Sequence, residues 1–245
     1  MSRPCVLITR PAADSVRLVA ALDSLGFEAL LAPLLDVKFI TPAPVIATAG
    51  VQAFLITSAN GARALAAALK NDRDVPVFAV GEASAKAMRA LGFTKVEAAG
   101  GDVVALAALV AARCDPHAER LVHAAGSVVA RDLQAMLDAK GFSVERVVLY
   151  EAAPTYALPS RIVTSLLEGR LDAILLFSPR TAATFVTLAT QAGCAEATSG
   201  VVAVCLSEAV AQAAGALKWR QVVVAARPEQ TALIEALAGI LASED

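Results

Sequence analysis

One stretch of the chain has a similar counterpart later in the sequence. Phe54-Leu55-Ile56-Thr57-Ser58-Ala59-Asn60 returns 120 residues later as Ile174-Leu175-Leu176-Phe177-Ser178-Pro179-Arg180. Each copy is a short apolar run that ends beside a serine and continues into a helical pattern. Such a run is typical of a parallel strand buried on both faces, and serine is a preferred residue at a helix N-terminus. The stretch therefore predicts an α/β unit that is present in two copies.

Two weaker repeats accompany it. Val80-Gly81-Glu82-Ala83 aligns with Cys205-Leu206-Ser207-Glu208 at an offset of 125, and Leu22–Phe27 with its following strand resembles Leu137–Phe142 with Val144–Leu149. The two halves of the chain look like copies of one unit. The repeat leaves open whether each half folds by itself or whether strands are exchanged between two lobes.

Ten short apolar runs, separated by alanine-rich helical periods, are predicted as strands. The runs are Val6–Thr9, Ala29–Leu35, Ala53–Thr57, Val77–Val80, Lys95–Ala98, Leu121–His123, Val144–Tyr150, Ala173–Phe177, Val201–Cys205 and Val222–Ala225. In the first helical period Leu18 and Leu22 share one face, and Gly26 stands where a left-handed C-terminal cap is expected. This strict alternation predicts an α/β fold with parallel sheets, and ten strands favour two sheets in two domains.

The composition raises the question of a membrane protein, because 57% of the 245 residues are hydrophobic, 18% are charged and the mean hydropathy is +0.63. Alanine accounts for much of this figure. The longest uncharged run, Phe39–Ala62, contains two prolines and two glycines, so no stretch suits a bilayer-spanning helix. The apolar segment at the N-terminus is too short for a signal peptide. We expect a soluble, cytoplasmic protein.

Charge and residue counts exclude several other classes. A net charge of −2 and a pI near 5.8 argue against nucleic acid as a partner. The four cysteines form no Cys-x-x-Cys pair, and His117 and His123 are the only histidines. No metal site, disulfide or His-based triad is therefore expected. The phosphate-binding signatures of nucleotide sites are missing as well.

Ligands of open parallel sheets bind beyond the carboxyl ends of the strands, where helices begin. At these junctions the chain carries small or hydroxyl-bearing residues, and helix N-termini of this kind bind anions. The junctions are Thr9-Arg10-Pro11, 57–61, 81–84, 99–102, 124–127, 178–181 and Ser207-Glu208. N-capping alone explains any single one of them. Together they predict a site for a multiply anionic ligand.

Tyr150 is the strongest candidate for a catalytic residue. It ends an apolar strand and precedes the break Glu151-Ala152-Ala153-Pro154. Its phenol could donate a proton, and a ring packed against a lobe interface is an equally common role. Glu82 and Glu208 stand at helix starts, where a carboxylate more often complements the helix dipole than catalyses a reaction.

Six motifs follow one another along the chain: V-L-I-T-R-P, F-L-I-T-S-A-N-G-A, A-V-G-E-A-S-A, the G-x-x-x-x-R-D-L pattern that opens 126–142, V-V-L-Y-E and L-F-S-P. In this order and spacing the chain resembles the uroporphyrinogen-III synthase family over essentially its whole length. The resemblance implies two flavodoxin-like lobes joined by a two-stranded linker. Residues 1–37 plus 151–245 would form one lobe, and 38–150 the other.

The resemblance also implies a reaction. Hydroxymethylbilane, a linear tetrapyrrole with eight carboxylates, would lose its terminal hydroxyl as water to give an azafulvene. The terminal ring would then invert through a spiro intermediate before the macrocycle closes, in heme biosynthesis. Neither a metal nor an organic cofactor is implied. The expected enzyme is a monomeric lyase that makes transient contact with hydroxymethylbilane synthase.

By position, Tyr150 matches the family tyrosine that has been proposed as the acid. The expected substrate-binding residues are Thr9, Arg10, Ser58, Asn60, Gly81, Gly126, Arg131, Ser178, Arg180 and Ser207. Arg131 could equally cover a helix face. Two departures stand out: Ser84 replaces a threonine of the family pattern in the first copy, and Leu206-Ser207-Glu208-Ala209-Val210 lacks that pattern in the second.

Two other hypotheses remain open at this point. The protein could be a non-catalytic, two-lobed binding protein for a small anion or a tetrapyrrole, using the same junctions without a proton donor. It could also be a degenerate homologue that has lost its activity, to which the altered second pattern lends weight.

Overall fold

A computed structural model of the chain describes residues 3–69, 72–128 and 132–241. Its strands are β1 (Cys5–Ile8), β2 (Glu28–Leu31), β3 (Leu35–Phe39), β4 (Val51–Ile56), β5 (Val77–Ala79), β6 (Val96–Ala98), β7 (Arg120–Gly126), β8 (Val144–Pro154), β9 (Ala173–Leu176), β10 (Val202–Cys205) and β11 (Gln221–Val224). Its helices are α1 (Ala12–Ser24), α2 (Ala59–Ala68), α3 (Glu82–Ala90), α4 (Val103–Arg113), α5 (Leu133–Asp138), α6 (Ser160–Leu167), α7 (Pro179–Gln191), α8 (Glu208–Ala214) and α9 (Gln230–Leu241), with a 3₁₀ helix over Glu196–Gly200.

The strands form two sheets and the chain divides into two compact units. Unit 1 comprises the residues up to Asp36 together with those from Ala153 onward, and unit 2 comprises Val37–Ala152. The sheet of unit 1 has the order β11-β10-β9-β1-β2, and that of unit 2 has the order β3-β8-β7-β4-β5-β6. The predicted α/β fold with two largely parallel sheets is confirmed.

Both sheets share one topology. If the strands of unit 1 are numbered in chain order, their spatial order is 2-1-3-4-5, which is that of flavodoxin-like folds. In unit 2 the corresponding strands lie side by side in the order β8-β7-β4-β5-β6, with β3 added beside β8. Unit 2 is thus a circular permutation of unit 1 that begins at the third strand.

The predicted strand Ala29–Leu35 is wrong as a single element. Its first part is β2, which pairs with β1, whereas Leu35 opens β3 in the other sheet. Pro33, which has no N–H to give to a ladder, separates the two parts. A continuous apolar run in the sequence does not indicate where the chain passes from one sheet to the other.

Both faces of each sheet are buried, as the continuous apolar runs predicted. In unit 1, Leu7 packs into the core on one face of β1, while Val6 and Ile8 pack into the core on the other. In unit 2, Phe54 and Leu55 divide between two faces in the same way. Many of the hydrophobic residues of the sequence are buried in these four apolar layers.

Repeated helix ends confirm the similarity of Leu22–Phe27 to Leu137–Phe142. Gly26 and Gly141 both have a φ of +84°, which favours glycine. The N–H of the phenylalanine after each glycine donates to the carbonyl of the leucine five residues earlier, at 3.0 and 3.2 Å. Both α1 and α5 therefore end in the same Schellman-type cap.

Backbone hydrogen bonds correct the alignment of the second repeat. The Val80 N–H donates to the Ile56 carbonyl at 2.8 Å, and the Leu206 N–H donates to the Leu176 carbonyl at 3.0 Å. Ile56 and Leu176 are equivalent at the offset of 120, so Val80 corresponds to Leu206. The offset of this repeat is therefore 126, and the predicted value of 125 is wrong by one residue.

With this shift, Gly81 and Ser207 become equivalent N-caps, and Glu82 and Glu208 become equivalent first residues of α3 and α8. The predicted alignment paired Gly81 with Leu206, although Glu82 and Glu208 were already expected at equivalent helix starts. The hydroxyl of Ser84 still has no counterpart, because Val210 occupies its place. Both of these side chains are buried, so the difference lies in the core.

Over residues 3–69, 72–128 and 132–241, we find no helix with the length and apolarity that a bilayer crossing requires.

Gly61 and Gly239 provide a test of the packing. A Cβ at Gly61 would lie 2.8 Å from the Ala124 carbonyl oxygen of β7, whereas a Cβ at Gly239 would meet nothing within 4 Å. We expect Gly61→Ala to lower the free energy of unfolding by about 1–3 kcal/mol through overpacking. Gly239→Ala should raise it by about 0.4–1 kcal/mol. Urea unfolding followed by far-UV circular dichroism measures both, and Trp219 fluorescence follows unit 1. Equal effects of the two variants would contradict the packing of α2 on β7.

Candidate functional site

Each unit has a topological switch point, where the strand order reverses and ligands of open parallel sheets bind. In unit 2 it lies between β4 and β7, and in unit 1 between β1 and β9. The carboxyl ends of these strands lead into Ser58, Gly126, Arg10 and Ser178. Four of the candidates from the sequence therefore stand at a switch point, two in each unit.

Tyr150 is aimed by an irregularity in β8. Ala125 pairs with Val148, but Gly126 pairs with Tyr150, so the register shifts by one residue at this point. Such a bulge re-aims a side chain relative to strict alternation. The shift places the Tyr150 ring in the apolar layer that contains Leu149, and the side chain is buried.

Gly126 makes room for the tyrosine ring. A Cβ at this position would lie 2.9 Å from two ring carbons of Tyr150 and 3.2 Å from its hydroxyl oxygen. A side chain on Gly126 would therefore move the ring. The structure assigns Gly126 a steric role beside the backbone contact that the sequence predicted.

Ser58 connects the tyrosine to a helix N-terminus. Its Oγ accepts a hydrogen bond from the Gly61 N–H at 3.0 Å as the N-cap of α2, and it lies 2.8 Å from the Tyr150 hydroxyl oxygen. A serine hydroxyl has one proton to donate. When Ser58 donates to the Tyr150 oxygen, the tyrosine keeps its own proton for another acceptor.

Asn60 is oriented by Arg63, which the sequence reasoning missed. Nη2 of Arg63 donates to Oδ1 of Asn60 at 2.5 Å. Because a guanidinium only donates, the amide oxygen faces Arg63 and the NH₂ group points away from it as a donor. The spacing of three residues on one helix was a signal that could have identified the pair.

Gly81 lies in extended conformation before α3, and a Cβ on it would come 3.4 Å from Cα of Gly101. The Gly101 N–H also donates to the Val80 carbonyl at 2.8 Å. The two glycine-containing loops therefore approach closely. Glu82 forms an exposed ion pair with Arg89 at 2.7 Å, which agrees with a non-catalytic carboxylate.

Arg10 is held by contacts with an aromatic ring, a glutamine and a backbone carbonyl. Its guanidinium carbon lies 4.5 Å from the centre of the Phe177 ring, and Nη2 donates to Gln230 Oε1 at 2.6 Å and to the Asp14 carbonyl. Its buried Nε has no hydrogen-bond partner in the described part of the chain. Burial lowers the pKa of this guanidinium, and the nearby Asp14 raises it. The cation is held at the carboxyl end of β1.

Ser178 repeats the role of Ser58 in unit 1. Its Oγ accepts from the Thr181 N–H at 3.1 Å as the N-cap of α7 and lies 2.8 Å from Oγ1 of Thr181. The hydroxyl that contacts Ser178 thus belongs to a threonine, whereas the hydroxyl that contacts Ser58 is the phenol of Tyr150. Arg180 is half-buried in the first turn of the same helix, and its carbonyl accepts from Thr184 Oγ1 at 2.9 Å.

The remaining predicted residues differ in accessibility. Thr9 is fully buried, its hydroxyl donates to the Leu175 carbonyl at 2.9 Å, and its own carbonyl accepts from the Leu34 N–H. Its side chain therefore joins neighbouring strands and does not reach the surface. Ser207 caps α8 and is half-buried. Arg131 lies outside the described residues.

His123 forms a buried polar cluster with residues that the sequence did not single out. Its Nε2 lies 3.3 Å from Thr57 Oγ1, and it pairs in register with Arg146 of β8. Burial, and next the positive charge of Arg146, lower the pKa of His123 to about 4, against a partly opposing effect of Asp132. The imidazole is therefore neutral at physiological pH. No cluster of potential metal ligands occurs among the residues that the structure describes.

A model of the family described as "Uroporphyrinogen-III synthase HemD" matches residues 16–235. The chain belongs to the uroporphyrinogen-III synthase family. The resemblance that the sequence motifs indicated is thereby confirmed. A search of curated proteins gave no match.

Solved structures of this family share the fold. A mutant uroporphyrinogen III synthase from the extremely thermophilic bacterium Thermus thermophilus is 21% identical and has a TM-score of 0.61, with 98% of each chain covered. Uroporphyrinogen-III synthetase from Helicobacter pylori is 17% identical with a TM-score of 0.62, covering 97% of this chain and 99% of the other. The predicted two-lobed fold of the uroporphyrinogen-III synthase family is confirmed.

His123 predicts a pH dependence of stability. Its pKa is lowered from 6.5 to about 4 in the folded chain, so the unfolded state binds more protons between these values and stability falls as the pH decreases through this window. A shift of this size corresponds to roughly 2 kcal/mol lost between pH 7 and about pH 4.5. His123→Gln should remove most of this loss, as measured by urea unfolding at both pH values. His117→Gln, at the exposed histidine, is the control, and the same loss in both variants would contradict the assignment.

Proposed function

We propose that this protein is a uroporphyrinogen-III synthase, which cyclises hydroxymethylbilane with loss of water and inversion of the terminal ring. Its membership of the family over residues 16–235 supports the reaction. The observation that carries the proposal is the Tyr150 hydroxyl, which lies 2.8 Å from Ser58 at the switch point of unit 2. This is the position at which a ligand of such a sheet binds.

The first chemical step needs a proton at the departing hydroxyl. Tyr150 donates it, the carbon–oxygen bond breaks and water leaves, while the electron pair of the pyrrole nitrogen forms the azafulvene still protonated at nitrogen, with one proton to be returned to Tyr150 when the macrocycle closes. The phenolate that remains accepts a hydrogen bond from Ser58, whose oxygen is polarised by the Gly61 N–H. Groups positioned for proton transfer in this way supply about 10²- to 10⁴-fold of rate.

The carboxylates of the substrate are held by donors within each unit. Unit 2 offers the N-terminus of α2, the amide of Asn60, and the backbone at Gly81 and Gly126. Unit 1 offers the N-terminus of α7 together with Arg10, Arg180 and Ser207. Helix N-termini carry partial positive charge, so eight carboxylates can be bound by a chain whose net charge is −2.

We further propose that the enzyme acts in the cytoplasm as a monomer, without nucleic acid or cofactor. The four cysteines are free thiols in the structure, which is consistent with a reducing compartment. Hydroxymethylbilane cyclises spontaneously to the type I isomer, so transient contact with hydroxymethylbilane synthase would limit that loss.

An isomer assay tests the proposal directly. Purified protein is added to hydroxymethylbilane synthase and its substrate, and the uroporphyrinogen isomers are separated after oxidation. We expect type III to replace type I as the main product. Type I alone would overturn the cyclase assignment. Bound tetrapyrrole without type III product would instead identify a non-catalytic binding protein.

The role of Tyr150 is tested by Tyr150→Phe, which removes the hydroxyl and keeps the ring on Gly126. We expect kcat to fall by about 10- to 1,000-fold, in the range that general acids supply. The chain's other tyrosine, Tyr156, is 98% exposed and provides the matched control, since Tyr156→Phe should leave kcat unchanged. Wild-type turnover in Tyr150→Phe would contradict the role of Tyr150 as the acid and leave it only a packing role.

A further inference from the structure

Arg146 lies on β8 but belongs to none of the motifs that identify the family. Strict alternation from Val144 places it on the sheet face opposite to Tyr150, and it pairs in register with His123 of β7. Val144 packs in the apolar layer of that face. An arginine in such a position calls for polar partners, because an unpaired buried donor is costly.

Its partners are backbone carbonyls at the end of the neighbouring strand. Nη2 of Arg146 donates to the Gly126 carbonyl at 2.7 Å and to the Ser127 carbonyl at 2.9 Å. Its Nε is buried and has no hydrogen-bond partner among the described residues. One guanidinium nitrogen thus fixes two successive peptide groups where β7 ends.

This contact sets the direction of two backbone N–H groups. In a planar trans peptide the N–H points opposite to the carbonyl of the preceding residue. With the Gly126 carbonyl on Arg146, the Ser127 N–H points away and donates to the Tyr150 carbonyl at 2.9 Å. With the Ser127 carbonyl on Arg146, the Val128 N–H also points away from the guanidinium. Ser127 and Val128 are both exposed, and the structure records no acceptor for the Val128 N–H among the residues it describes.

The positive charge of Arg146 also favours the orientation in which the Gly126 and Ser127 carbonyls point toward the guanidinium. His123, its neighbour in register, is neutral at physiological pH, so it neither repels nor compensates the guanidinium. The cation lies beneath the carbonyls of the loop, and their negative ends point toward it. The opposite side of the 126–128 segment therefore presents the Val128 N–H, because the Ser127 N–H is already bonded to the Tyr150 carbonyl.

We infer that Arg146 is a positioning residue for the cyclase: it holds segment 126–128 with its carbonyls turned away and its Val128 N–H free to bind a substrate carboxylate. Without the guanidinium, the two carbonyls lose their donor and can rotate toward the anion. Binding of the substrate should suffer more than the chemical step, because the Tyr150–Ser58 pair lies on the other face. The inference rests on the proposed function.

Arg120 offers a matched control on the same sheet. It opens β7 and donates to the carbonyls of Ala47, Ala49 and Gly50 while pairing with Glu145 at 2.7 Å. It therefore fixes a loop through carbonyl contacts just as Arg146 does, but at the amino end of the strand. Arg120→Met removes comparable backbone contacts far from the carboxyl ends.

The test compares Arg146→Met, Arg146→Lys and Arg120→Met in the isomer assay. We expect Arg146→Met to raise KM by about 10-fold, equivalent to one lost favourable interaction of moderate strength, with kcat within about 3-fold of wild type. Arg146→Lys retains the charge and one donor direction, so it should restore part of the affinity. Arg120→Met should leave KM unchanged. Binding of uroporphyrin III, followed by its fluorescence, gives a second readout that is independent of turnover.

Each outcome has one meaning. No type III product from the wild type would overturn the proposed function itself. An active wild type with equal KM values for Arg146→Met and Arg120→Met would overturn the inference alone, and so would a fall in kcat at unchanged KM. If Arg146→Met does not fold, as judged by circular dichroism, Arg146→Gln carries the test, because its shorter neutral side chain removes the charge and the paired carbonyl contacts, and its wild-type KM and uroporphyrin affinity would then overturn the inference.

Discussion

The extra residue in β8 is the constraint on which the candidate site depends. If β8 kept strict alternation beyond Val148, Leu149 would stand opposite Gly126 and the phenol of Tyr150 would point to the other face of the sheet. The shift brings its hydroxyl to the serine that caps α2. A glycine then becomes necessary at position 126, since it accommodates the ring. A local irregularity of one strand thus determines which residues around it can carry a side chain.

In the proposed function, helix N-termini account for the binding of a strongly anionic substrate by a weakly charged chain. Capped N-termini at the switch points concentrate N–H groups without adding net charge. Arginines contribute in a different way. Arg10, Arg63 and Arg146 donate to groups of the protein itself, namely a glutamine and a carbonyl, an asparagine, and two carbonyls. Under the proposed function these contacts fix the direction of neighbouring donors before a ligand arrives, which lowers the ordering cost of binding, and Arg10 is in addition a proposed carboxylate donor.

Sequence patterns predicted the fold where a periodic signal exists, and the site where strands end. The repeated strand–serine–helix unit follows from local composition, and Ser58 occupies a junction that any parallel sheet exposes. Tyr150 was expected to end a strand, but it is buried inside β8, which continues to Pro154. The break at Pro33 could not be predicted, because an apolar run fits either sheet. Arg146 lies within a strand, where the sequence shows a charged residue in an apolar run but not its partners. Thr9 was expected to bind substrate, and its position beside a strand end did not show that its hydroxyl bonds the Leu175 carbonyl of β9.

The two copies of the unit have diverged in a way that suits one proton transfer. Ser58 and Ser178 cap equivalent helices, and each lies 2.8 Å from a second hydroxyl. In unit 1 that hydroxyl belongs to Thr181, on the helix that the serine caps, and an aliphatic alcohol is a far weaker acid than a phenol. In unit 2 it belongs to Tyr150, brought in from a different strand by the bulge in β8. Under the proposed function, a duplicated scaffold supplies anion-binding helix ends twice, while the proposed acid is found only where the strand irregularity occurs. Loss of a single hydroxyl from the substrate requires no more than that.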